Sequence, residues 1–229
     1  MAEISIFTSL GLILTTLISL WLFFKASNNK KTLYVIIIWM LVVGVLGVTG
    51  FYQKLETFPP RFTLLLAPTI LFVLILFTNK NNEKFIDSLS IKCLTIVHIV
   101  RIPVEITLYL VFLSGLVPDL MTFDGYNYDI ISGITAPIIY YLVFVKKTIG
   151  RKGLLIWNIV CLGLLINILV IAVLSAQTPF QQLAFDQPNI GVTYFPFVWI
   201  PAVIVPIVLF SHLASIRQLI LREKAANNV

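Results

Sequence analysis

The chain is 229 residues long, 59% hydrophobic and only 11% charged, with a mean hydropathy of +1.00. A soluble domain needs roughly 25% charged residues to keep its surface wetted, so this composition excludes a water-soluble globule, and no polar stretch is long enough for a separate soluble domain. The net charge of +6 does not point to nucleic acid, because the basic residues sit in short loops between apolar runs, where they report membrane topology.

A helix needs about 20 apolar residues to cross the roughly 30 Å hydrocarbon core of a bilayer. Seven segments fit: 4–24, 32–52, 62–78, 93–116, 128–145, 154–175 and 195–216. The first has no basic residue ahead of it, and Lys25, Lys30 and Lys31 follow it, which predicts a retained helix with an exported N-terminus. The second carries Gly44, Gly47 and Gly50, small residues that let another backbone approach closely in lipid. They fit packing inside the bundle or an oligomer face. The third and fifth segments, which contain Pro68 and Pro137, are the shortest.

The fourth segment, CLTIVHIVRIPVEITLYLVFLSG, holds the most informative residues. At 100° per residue His98, Arg101, Glu105 and Tyr109 share one face, which Phe112 extends. Arg and Glu each cost about 2.5–3.5 kcal/mol to insert at a helix centre, so this face must turn toward a partner or a watery cavity. Arg101 and Glu105 are four residues apart and can pair within the helix. Pro103 between them predicts a kink that frees the carbonyl of Ile99. The stripe reads either as a binding site for a small molecule, ion or proton, or as a structural lock.

The loop that follows is acidic, with Asp119, Asp124, Asn127 and Asp129, and reads as solvated; Asp129 is placed to cap the fifth helix. In the sixth segment Asn158 and Asn167 fall on opposite faces, and Asn167 is the deeper, interior-facing candidate. Trp21, Trp39, Trp157 and Trp199 lie toward segment ends, as interfacial anchors do. The seventh segment contains Pro201, Pro206 and His212, and His212 matches His98 in depth from the basic side. Two histidines on different helices at one depth are candidate haem or metal ligands, although no third ligand pattern accompanies them. Cys93 and Cys161 form no CxxC motif and are expected to pack as free thiols.

The charges test the number of spans independently of hydropathy. With seven, 13 of the 16 basic residues fall in loops one, three and five and the C-terminal tail, while Lys54 and Arg61 lie on the other side and Arg101 within a span. Losing or adding one span would scatter this segregation. The expectation is an all-α polytopic protein of the bacterial cytoplasmic (inner) membrane, a single seven-transmembrane-helix domain over 1–229 with the N-terminus outside and the C-terminus cytoplasmic. No P-loop, GxSxG, HExxH or GxGxxG motif is present, and no lysine inside a span could hold a Schiff base. A small-molecule, ion or proton transporter, or a membrane sensor, is therefore expected more than an enzyme, with His98, Arg101, Glu105, Tyr109 and Asn167 as binding residues. The alternatives are a haem- or metal-binding intramembrane redox subunit using His98 and His212, and a structural assembly subunit.

Overall fold

A computed structural model describes residues 4–54 and 60–227, and every element named in it is helical. Among the described residues no strand forms; a single isolated β-bridge joins Ala176 to Asn189. Helices α1 (Ile6–Ser27) and α2 (Lys30–Val48) form a tight hairpin. Asn28 ends α1 in the left-handed conformation (φ 46°), and the Asn29 side chain accepts from the backbone N–H groups of Lys31 and Thr32 to start α2. The hydrophilic run between the first two apolar segments is thus a pair of helix caps. Gly50 (φ 68°) ends α2 in a conformation that glycine adopts without strain.

Helix α3 (Thr63–Thr78) is followed by a short α4 (Glu83–Ser88) bent 83° from it. The fourth apolar segment is broken into α5 (Ile91–Val97), a 3₁₀ turn (His98–Val100) and α6 (Arg101–Leu113). Pro103 sits in the first turn of α6, where its missing N–H matters least, and the expected kink takes the form of this tightened turn. Helix α7 (Ile130–Tyr140) runs into a π turn at Tyr141–Val145, α8 (Arg151–Leu174) is straightforwardly long and apolar, and a second π turn (Ile200–Ile204) leads into α9 (Val205–Asn227). Five of these helical stretches are long and apolar enough to cross a membrane, or six if the bent α3–α4 pair counts as one; Ile130–Val145 is shorter.

The loops sort to two ends of the helix array. At one end the Ser90 N–H donates to Ala26 O, the Gln218 amide donates to Ile86 O and Leu89 O, Arg217 pairs with Glu83 and Asp87, and Lys152 pairs with Glu223. At the other end the Gly191 N–H donates to Leu116 O, the Gln187 amide to Val117 O, and the Asn167 amide to Tyr126 O.

Helix contacts use small residues and indoles. A Cβ added to Gly47 would stand 2.9 Å from Val198, and one on Gly44 would stand 3.4 Å from Trp199, so both glycines face this chain's own residues. Pro206 cannot donate to Ala202 O, and the Trp39 indole N–H does so instead (3.0 Å). Trp199 donates to Met40 O (2.9 Å) and Trp157 to Thr135 Oγ1 (3.0 Å). Three of the four tryptophans therefore tie helices together. Trp21, 55% exposed with the Lys25 ammonium over its ring, keeps the character of an anchor.

Candidate functional site: a buried charge network between α6, α7, α8 and α9

His98, Arg101 and Glu105 share one inward face, all at most 2% exposed. Arg101 does not pair with Glu105, the neighbour one turn along its own helix. Its Nη1 donates to Asp129 Oδ1 at 2.6 Å and to the Cys161 carbonyl at 3.4 Å, and its Nη2 lies 3.2 Å from His212 Nε2. The partner carboxylate comes from the start of α7. Asp129 stands at the N-cap position of that helix, yet its side chain makes no capping bond and turns inward to the guanidinium.

Gly133 explains how α7 comes close enough. Its missing Cβ would sit 2.9 Å from the backbone nitrogen of Ile102 and 3.2 Å from Arg101 Cβ, so any larger residue would hold the helices apart. Asp129, Ser132, Gly133 and Ala136 recur at helical spacing and form the buried face of α7. Ser132 adds a long hydrogen bond to Asp129 Oδ1 (3.5 Å).

The hydrogen-bond roles of His212 follow from its partners. A guanidinium only donates, so Nε2 must accept, and the ring proton belongs on Nδ1, which donates to Asn158 Oδ1 at 2.9 Å. The Asn158 amide in turn donates to Leu154 O (2.9 Å). In the other direction, Glu105 Oε2 accepts from the Asn127 amide, which also donates to Met121 O (3.0 Å), while Asn127 Oδ1 accepts the Asp129 backbone N–H (3.1 Å). Glu105, Asn127, Asp129, Arg101, His212 and Asn158 thus form one connected polar chain, each at most 4% exposed. His98, which meets this chain only by stacking on His212, lies seven positions before Glu105, about 10 Å along the helix axis.

His98 stacks on His212, with ring centroids 3.8 Å apart and planes 18° apart, and meets the Trp157 ring edge-on at 5.5 Å. Neither of its ring nitrogens has a hydrogen-bond partner among the described residues. Below it, α9 presents Ser211, Ser215 and Gln218 toward the interior, and Ser215 Oγ and Gln218 Oε1 are likewise without a partner there. Buried polar atoms of this kind are normally satisfied by ordered water.

The sequence-derived candidates divide. His98, Arg101 and His212 come together, and Glu105 joins through Asn127. Tyr109 is half-buried and stacks on Phe123 (4.9 Å), apart from the network. Asn167 is exposed and bonds only Tyr126 O; the interior asparagine of α8 is Asn158. The supposedly solvated acidic loop contributes two of the most buried groups, Asn127 and Asp129. Haem does not fit the histidine pair. Axial ligands point a ring nitrogen at iron from opposite sides of a macrocycle, whereas these rings lie face to face in contact and both nitrogens of His212 are engaged. Among the described residues no group of three His, Cys, Asp or Glu side chains is placed to hold a metal ion.

The chain matches one family over residues 57–220. It belongs to the family described as domain of unknown function DUF8737. Every member of the polar network lies inside the matched range, whereas α1 and α2 precede it. No curated protein and no solved structure matches the chain.

Proposed function

We propose that this membrane protein is a proton-translocating transport protein of the bacterial cytoplasmic membrane. In this reading it crosses seven times, its C-terminus is cytoplasmic, and the buried network carries the proton. The observation that carries the reading is the stacked pair His98 and His212, one ring fully engaged and the other with neither nitrogen partnered among the described residues, at the end of a chain of carboxylates and amides. Histidine and carboxylate chains inside membrane helices are how protein interiors relay protons.

The topology is supported by the gathering of loops one, three and five with the tail at one end, the end that holds 13 of the 16 basic residues. On this topology Glu105 and Asn127 stand toward the outer side and His98 toward the cytoplasm, where Ser215 and Gln218 of α9 continue the polar line. A role for Arg101 in holding an anionic substrate has less support, since its two terminal nitrogens are already engaged by Asp129, Cys161 and His212. Its role here is to fix Asp129 and the tautomer of His212.

The test is proton entry into liposomes holding a pH-sensitive dye, driven by an imposed membrane potential. Wild-type protein is expected to acidify the lumen, and His98→Phe, which keeps a stacking ring but no nitrogen, is expected to stop it. Acidification no faster than in empty liposomes, or undiminished in a correctly folded His98→Phe, overturns the proposal. A structural lock is the second reading, favoured by the engagement of both terminal nitrogens of Arg101, and a stable but undiminished His98→Phe would leave it standing.

A further inference from the structure

A groove of about 630 Å³ lies between α2, α3 and the start of α9, lined by no residue of α7 or of the charge network. Val35 and Trp39 form one wall, Phe72 the other, and Ala202 and Pro206 the floor. The π turn at Ile200–Ile204 and the Trp39 bond to Ala202 O set the shape of that floor. The groove has one polar end, where Asn29, Lys31 and Asn82 line it. Lys31 makes no ion pair among the described residues, and its end of the groove is the end where the basic loops gather.

From these features we infer that the groove binds an acidic phospholipid of the cytoplasmic leaflet, its acyl chain between α2 and α3 and its headgroup at Lys31. The length fits. Along α3 the lining runs from Pro68 to Leu76, about 12 Å at helical rise, which is most of the roughly 15 Å of hydrocarbon in one leaflet. The charge selects the headgroup: one unpaired lysine at the polar end of an otherwise apolar slot favours an anion over a zwitterion. The inference requires that the chain spans a membrane and is independent of proton movement.

Native mass spectrometry of the full-length protein, released from mixed micelles holding equal phosphatidylglycerol and phosphatidylcholine, tests it. The wild type is expected to retain one phosphatidylglycerol with about a fivefold preference, the contribution of one basic side chain near an anionic surface. Lys31→Glu should abolish the preference, and Val35→Trp, a change at an exposed groove position, should reduce retained lipid of either kind. Millimolar inorganic phosphate should not displace the lipid, since a free anion lacks the chain. Equal retention of the two lipids by the wild type, an unchanged preference in Lys31→Glu, displacement by phosphate, or undiminished retention in a folded Val35→Trp would each overturn the inference.

Discussion

Asp129 is the residue on which the interior depends. It is the carboxylate bonded directly to Arg101, with the two side chains 6% and 3% exposed. Removing one partner of a buried ion pair leaves the other charge uncompensated and costs about 3–5 kcal/mol, whereas replacing both with apolar groups is often neutral. Asp129→Ala is therefore expected to lower the unfolding free energy by about 3–5 kcal/mol in denaturant titration. Arg101→Met combined with Asp129→Leu should recover most of that loss while abolishing dye acidification. A double variant as unstable as the single one would show that the pair does not act as a unit.

The sequence pattern identified the inward face of α6 correctly, because an unpaired charge in lipid leaves a helix one choice of orientation. It misassigned the partner. A neighbour at i+4 is visible in sequence, while Asp129, 28 residues away, looked like a loop acid beside Asp119 and Asp124. Asn158 escaped for a related reason. Hydropathy begins the sixth segment at Leu154, but the helix begins at Arg151, so Asn158 lies seven residues inside and deep enough to meet His212.

Among the apolar elements, α7 with its π turn falls short of a full membrane crossing and has the greatest consequence. At Ile130–Val145 it is short, and its inward face is built from Ser132, Gly133 and Ala136, which score poorly as hydrophobic but allow near contact with α6. Gly133→Val is expected to destabilise the fold by about 1–3 kcal/mol through overpacking and to slow proton entry by shifting Asp129 from Arg101. Gly163 provides the control. A Cβ there meets nothing within 4 Å, so Gly163→Ala in mid-α8 should leave activity unchanged and stability equal or slightly higher. Similar losses in both variants would remove the argument for close packing at Gly133. The same small-residue logic was legible in α2, where Gly44 and Gly47 accept Trp199 and Val198; the identity of those partners was not, because they lie more than 150 residues along the chain.

For the whole molecule, the segregation of basic residues yields a direct topological test. In a variant lacking Cys93 and Cys161, single cysteines at exposed positions Asp124 and Asp186 are expected to react with a membrane-impermeant maleimide on intact cells, and those at Lys30 and Asp87 only after lysis. Labelling of Asp124→Cys and Asp87→Cys from the same side would break the seven-span reading between them. The family match runs from before α3 into α9, ending at residue 220, and contains the complete network, whereas α1 and α2 lie before it. Helix α2 nonetheless supplies one wall of the groove described above, whose other wall and floor lie inside the match.

The 28-residue separation of Arg101 from Asp129 also imposes an order on synthesis. Ribosomes extend chains at about 5–20 residues per second, so Arg101 emerges some 1.5–6 s before Asp129 does. His212 follows 111 residues after Arg101, later still by several-fold. Until Asp129 follows, α6 carries a guanidinium whose transfer into lipid is costly. A chain truncated before residue 129 would keep Arg101 without its carboxylate, so the two charges can settle in the interior only once α6 and α7 are both in place.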